Sequence, residues 1–416
     1  MLKKYKILVV VTEFPSVSET FILNQITDLI DKGHSITIFS YNHNKNSFAH
    51  QLYYDYNLAD LTITHFKNEK TNWHFLKGII TFFFKYRTQI TYSKLFKLLN
   101  PLKWKENRAK AKVFYDLPVF LLNTHFDLVH CHFGFNGRKV AEAMRIGVCS
   151  ARKAIVSFHG SDLTPSKINI YQNVYKDLFF FFDAFIVNSI YLQEILFQVK
   201  GDLDKCYLLP EGFKTSYLNQ FLSTVKISPK FNIVFCGRLI QWKGPDLAIK
   251  IVKKLVDRGT ADILFHLIGN GEMMGELRRL VKELHLEENV ILYGALSQEQ
   301  VFKIMAGSDV FLLPGIQEPH SKRSEAQGLV IQEAQFFKLP LLVGNVGGVK
   351  YGMLNGTTGF LIEENNMEVF VEKILFLYQN PEKRIKMGEK GHDWVKNEFE
   401  ISLLGNKLIK VYDLLN

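Results

Sequence analysis

Seven residues, Ala326-Gln327-Gly328-Leu329-Val330-Ile331-Gln332, separate two carboxylates, Glu325 and Glu333. If Gly328 opens a helix, the free amides near Gly328 and Leu329 form an anion site, and Glu333 projects from the helix further along. Were the whole run helical, the carboxylates would stand roughly 12 Å apart along the axis, enough to flank a diphosphate. One could then accept hydrogen bonds from sugar hydroxyls and the other from ribose hydroxyls. The competing reading is an exposed helix with two solvated acids. Against it, Glu333 lies among Ile331, Ala334 and Phe336, and a carboxylate drawn into apolar surroundings requires partners.

A second set is cationic. The apolar run 233–236 ends in Gly237-Arg238-Leu239, followed by Trp242-Lys243-Gly244. Arg238 can fork onto phosphate oxygens while Lys243 places a compact charge beside them. The next run ends in Gly269-Asn270-Gly271-Glu272, where small residues let backbone amides approach a ligand closely; Asn270 joins the candidate binding set on this weaker signal. The run 154–158 ends in His159-Gly160-Ser161-Asp162, which places an imidazole and a carboxylate at another strand end. His130 and His132 share one strand face, but a structural role suits them better than a metal site, since no third ligand is evident.

The elements that would position these groups follow from periodicity. In the first half, apolar runs at 7–11, 36–39, 128–131, 154–158 and 184–187 alternate with helix-period segments such as 20–29, with Ser18 as N-cap. In the second half, runs at 233–236, 263–268, 290–293 and 310–313 alternate with helices at 246–256 and 277–284, and Ser297 with Gln300 forms a capping-box pair. Two doubly wound α/β domains of parallel strands result, consistent with 416 residues, too many for one core. The seam falls at 215–230, and the helical stretch 381–415 packs back across both domains. Ligands of such sheets sit at the carboxyl ends of the strands.

Composition narrows the class. The net charge is +10, and the segment 66–113 accounts for all of it, with twelve Lys and Arg against Glu69 and Glu106. That segment also carries Trp73, Phe75, Phe82 to Phe84, Tyr86, Tyr92, Phe96 and Trp104. The mixture suits an anionic membrane surface, or equally a solvated helical excursion with an apolar underside. No nucleic-acid recognition motif accompanies the charge. The apolar run after Lys3, Lys4 and Lys6 is too short for a signal peptide, no segment is long enough to span a membrane, and the four cysteines are widely spaced. A cytoplasmic protein is expected.

The combined residues resemble glycosyltransferase family 4, the retaining GT-B enzymes, over nearly the whole chain. The matching pieces are Gly237-Arg238-Leu239 with Lys243-Gly244, the run Ser308 to Pro314, the E-x7-E run continuing into Ala334, Gly347-Gly348, Asn355-Gly356 and Gly359-Phe360. The opening Phe14-Pro15-Ser16-Val17-Ser18-Glu19-Thr20-Phe21 resembles the branch that builds bacterial exopolysaccharides such as colanic acid. The resemblance implies a GT-B fold, two Rossmann-like domains facing a cleft. Residues 1–220 would take the acceptor and carry the insertion 66–113, residues 221–385 would take the nucleotide sugar, and residues 386–416 would cross back. It implies that Gly237, Arg238, Lys243, Asn270, Gly328, Leu329 and Glu333 bind a UDP- or GDP-hexose, with the diphosphate on Arg238 and Lys243 and the ribose on Glu333. Glu325 would contact the transferred sugar, His159 would lie near the reacting centre, and Ser18 and Glu19 would face a glycan or polyprenol-linked acceptor. No metal or cofactor is implied. A location on the cytoplasmic face of the inner membrane would follow. Ala326 in place of the usual glycine, and Lys350-Tyr351 in place of Pro-Glu, leave the sugar open. Rival readings are a GT-B epimerase or phosphorylase, and a non-catalytic nucleotide-sugar-binding protein at the membrane.

Overall fold

The apolar runs become strands because each is buried on both faces, the condition that parallel sheets covered by helices impose. A computed structural model of the chain describes residues 3–16, 19–42, 50–64, 80–94, 117–149, 151–222 and 228–416. The first sheet contains β1 (Lys6–Glu13), β2 (Ser35–Asn42), β3 (Thr62–Thr64), β4 (Phe126–His132), β5 (Ala151–Phe158), β6 (Ala184–Val187) and β7 (Cys206–Leu208). Their order is β3-β2-β1-β4-β5-β6-β7 and the pairing is parallel. The second sheet contains β8 (Phe231–Cys236), β9 (Ile263–Ile268), β10 (Val290–Gly294), β11 (Val310–Leu313), β12 (Leu341–Gly344) and β13 (Gly359–Ile362), ordered β10-β9-β8-β11-β12-β13 and again parallel.

Each sheet reverses its winding once, between β1 and β4 and between β8 and β11. The loops leaving the carboxyl ends of neighbouring strands diverge at such a point and open a crevice. The loops that carry His159, Arg238 and Glu325 leave β5, β8 and β11, at or beside these reversals.

Helix ends follow local chemistry in one predicted case and depart from it in another. The capping box of Ser297 and Gln300 opens the helix Gln298–Ala306. The helix Thr20–Asp31 has Glu19 at its N-cap, and the Glu19 side chain makes no capping bond. Ser18 itself lies outside the described residues. The carboxylate instead turns toward the cleft, where it lines the cavity described below.

The chain's last two helices connect the domains. Helix Pro381–Glu398 packs on helix Leu329–Phe336 of the second domain, and helix Ile401–Leu415 packs on helix Thr20–Asp31 of the first. The crossing is pinned by Phe213 N to Phe399 O at 3.1 Å and Ile401 N to Phe213 O at 3.0 Å. Tyr412 then enters the first core fully buried, its hydroxyl 2.8 Å from His130 Nδ1 and its ring edge-on to Tyr5.

Of the basic insertion, only residues 80–94 are described, and they divide in two. Phe82 is buried and Tyr86 packs beside it against the core that holds Val119 to Leu122, whereas Phe84 is 73% exposed and Tyr92 56% exposed. The remaining predicted aromatics there, Trp73, Phe75, Phe96 and Trp104, lie outside the described residues. Among the described residues no helix is long and apolar enough to cross a membrane.

Replacing Tyr412 with Ala removes a fully buried ring and a hydrogen-bond partner of His130. This should cost about 3–5 kcal/mol of unfolding free energy, read as a lower denaturant midpoint with an intact far-UV spectrum.

Candidate active site

Between the two sheets lies a cavity of about 450 Å³. Its second-domain wall begins where β8 ends. After Gly237 and Arg238 the chain makes a short turn, Gln241–Lys243, and reaches Gly244 in the left-handed region at φ 69°. A Cβ at Gly244 would overlap the Pro314 carbonyl, so glycine is what lets helix Pro245–Asp257 start this close to the end of β11. Trp242 braces both cations, with its ring centre 5.8 Å from the Arg238 guanidinium and 5.1 Å from Lys243 Nζ.

Lys243 forms an ion pair with Glu325. Both are largely buried, with side-chain exposures of 11% and 15%. Glu325 lies in the loop before the helix, which begins only at Leu329 with Gly328 as its left-handed N-cap at φ 77°. The E-x7-E run is therefore a loop acid followed by a helix acid. The Leu329 amide, at the start of the first turn, has no intrahelical acceptor and borders the cavity, a position that suits an anion.

Glu333 is on that helix, 9% exposed. Its partner is the Gln298 carboxamide, Nε2 to Oε1 at 3.4 Å, at the limit of a hydrogen bond. Burial pushes its carboxyl up to about 7. The same burial, with Glu333 adding to it, pushes the neighbouring Cys236 thiol up to about 12.

The first-domain wall is built on Asp162. Its buried carboxylate accepts from the amides of His159 and Gly160, both at 3.0 Å, and of Gly134 at 2.6 Å. Burial raises the Asp162 pKa, against the opposing pull of His159 and these amides. The loop so held presents His159, whose Nδ1 is 2.7 Å from Glu211 Oε1 and whose Nε2 is 3.1 Å from His132 Nδ1. Burial lowers His130 to about 3 and His132 well below its usual value, so both are neutral. His130 is engaged by Ser157 Oγ at 2.7 Å and by Tyr412, a structural arrangement rather than a metal site. Glu19 faces this wall. Burial pushes its carboxyl up to about 7 against the pull of His159, and its buried Oε2 has no hydrogen-bond partner among the described residues.

Of the residues singled out from the sequence, the cavity brings together Glu19, His159, Gly237, Arg238, Lys243, Glu325, Gly328, Leu329 and Glu333. Asn270 is not among its lining residues: its side-chain oxygen accepts from Gly271 N at 2.9 Å within its own loop. The glycines around it serve protein packing. A Cβ at Gly269 would overlap Gly237 O and one at Gly271 would overlap Leu239 O, so they let two loops touch, not a ligand approach. The cavity also includes Glu211, Gln298, Arg323 and Gln327, which sequence reasoning passed over. The available signal for Glu211 was its place just after β7, level with the strand ends that carry His159 and Asn188.

Residues 220–394 match the family described as Glycosyl transferases group 1. The amylovoran biosynthesis glycosyltransferase AmsK of Erwinia amylovora is 24% identical over 97% of this chain and 98% of its own length. A GDP-mannose-dependent alpha-(1-6)-phosphatidylinositol monomannoside mannosyltransferase of Mycobacterium tuberculosis is 22% identical over 70% of this chain and 78% of its own. The crystal structure of Anabaena HepE in complex with UDP-glucose superposes with a TM-score of 0.70 at 16% identity, covering 98% of each chain.

The raised Glu333 carboxyl gives a signed prediction. Because the folded protein favours the protonated acid, wild-type stability falls as pH rises from about 4.5, the unfolded value, to about 7. The loss is on the order of 3 kcal/mol. Glu333→Gln removes it, so thermal melts should show the variant more stable than wild type at pH 8 and indistinguishable at pH 4.5.

Proposed function

We propose that this chain, which has the GT-B fold and whose residues 220–394 match the group 1 glycosyl transferases, moves a hexose from a UDP- or GDP-hexose to a lipid-linked glycan acceptor, with retention of anomeric configuration, during surface polysaccharide synthesis. The observation that carries this reading is the buried Lys243–Glu325 pair beside Arg238 and the helix start at Leu329. A diphosphate entering there meets two cations and the helix-start amides, and in this reading Glu325 turns from Lys243 to a sugar hydroxyl. Glu333, buried and with a long contact to Gln298, suits the ribose hydroxyls.

Transfer then rests on charge stabilisation in a closed cleft. As the glycosidic bond to the leaving phosphate breaks, negative charge grows on the diphosphate, and Arg238, Lys243 and the amides of the first helical turn stabilise it without reorganising. The acceptor hydroxyl attacks from the face that the leaving group vacates, and its proton passes to the departing phosphate. Retention follows. Glu19 and Ser18 belong to the acceptor side, and residues 66–113 to an anionic membrane surface. AmsK supports the polysaccharide setting and the mycobacterial enzyme supports a lipid-borne acceptor.

Lys243→Ala and Glu325→Ala should each lower kcat/KM for nucleoside diphosphate release by at least roughly 100-fold while the protein still folds cooperatively. Wild-type turnover by both would contradict the site. The anomeric proton of the product, read by NMR, should keep the donor's configuration. Binding to anionic vesicles should weaken when the Lys and Arg of residues 66–113 are replaced, and unchanged binding would refute the membrane role.

A further inference from the structure

One acid in the cleft has no part in the reaction as proposed above. Glu211 follows β7 on a loop that begins with Leu209 N bonded to Val187 O at 2.9 Å, which sets it level with the ends of β5 and β6. Its Oε1 receives two donors, His159 Nδ1 at 2.7 Å and Asn188 Nδ2 at 2.9 Å. An ionised carboxylate can only accept, so the proton of this contact is on His159 Nδ1 and the tautomer at that nitrogen is set. The second ring nitrogen meets His132 at 3.1 Å, with the two rings 17° from parallel. The ring is also flanked by Phe21 at 4.7 Å and Phe133 at 4.8 Å. Turning the imidazole would break two hydrogen bonds inside an aromatic clamp.

The backbone of the same residue reaches the other domain. Glu211 N donates to Gln327 Oε1 at 2.7 Å and Gln327 Nε2 donates to Glu211 O at 2.9 Å, a two-point amide pairing across the cleft. Gln327 is 3% exposed and stands between Glu325 and the Gly328 helix start. The loop that holds Glu325 is further tied down by Gly348 N to Glu325 O at 2.7 Å.

We propose that Glu211 is the positioning residue of this cleft: its carboxylate fixes the orientation of His159, and its pairing with Gln327 makes that orientation one unit with the docked Glu325 loop. The proposal rests on the transferase reading. The effect of Glu211 passes through His159. Closing the donor loop against the first domain and aligning the imidazole are then a single event.

The experiment is a double-mutant comparison on the full chain, reading kcat and donor KM for nucleoside diphosphate release together with thermal melts. Glu211→Ala should lower kcat roughly 10- to 100-fold with donor KM within about threefold of wild type. Glu211→Gln, whose carbonyl can still accept from Nδ1, should recover most of that loss. In a His159→Ala background, Glu211→Ala should cost less than about threefold more. Gln327→Ala, which breaks the pairing, should raise donor KM roughly tenfold and lower kcat as well. Unchanged kcat in Glu211→Ala, or an equal loss with and without His159, would overturn the proposal. Should Glu211→Ala not fold, Glu211→Leu fills much of the same space without a hydrogen-bonding group and carries the same comparison. A wild-type chain that cleaves no nucleotide sugar would count against the transferase reading; an active wild type indifferent to Glu211 counts against this proposal alone.

Discussion

Charge taken out of water governs this cleft. Lys243 and Glu325 are largely buried and neutralise each other, the exposed Arg238 lies against Trp242, and Glu333 is buried with, among the described residues, a long contact to Gln298. A buried charge without full compensation is costly. In the proposed function, a ligand that carries a diphosphate and several hydroxyls would add negative charge beside Arg238 and donors for Glu333, the group whose burial lowers stability at neutral pH.

The fold serves to hold these groups at fixed separations. Both sheets reverse at the strands that carry the site, so their loops open toward one another. Close packing sets the loops in place. Gly244 passes under Pro314, Gly160 meets the Ala326 methyl across the cleft, and a Cβ at Gly348 would overlap the Ala326 carbonyl. Ala326 is packed into the first domain's core from a loop of the second, so the position that the family resemblance would make glycine is here a contact between domains. The crossing at Phe213 and Phe399 lets the last helix close the far side of the first domain, and Tyr412 ties it to the histidine layer beneath His159.

Most of this frame was legible in the sequence because it is local. The runs 263–268, 310–313 and 184–187 coincide with β9, β11 and β6, and others fall within longer strands, since continuous burial in a parallel sheet writes itself as a continuous apolar run. Gly328 at the helix start and the Ser297 capping box were legible for the same reason. What could not be read was settled between segments far apart in the chain. Glu211 and Gln327 meet across 116 positions, and Gln298 reaches Glu333 across 35, without a periodicity that marks either pair. The glycines around Asn270 pack against the loop of Gly237 and Leu239, and loop packing calls for the same small residues that ligand approach does. Glu19 took the N-cap position but sent its carboxylate to the cleft, a tertiary preference that cap statistics do not contain.

The most direct measurement is a structure of the full chain with a bound nucleoside diphosphate. The account predicts the diphosphate between Arg238, Lys243 and the amides of Gly328 and Leu329, the ribose hydroxyls on Glu333, and Glu325 released from Lys243 toward the vacant sugar position. A nucleotide seated elsewhere, or one in this cavity with its ribose away from Glu333 and the Lys243–Glu325 pair undisturbed, would contradict it.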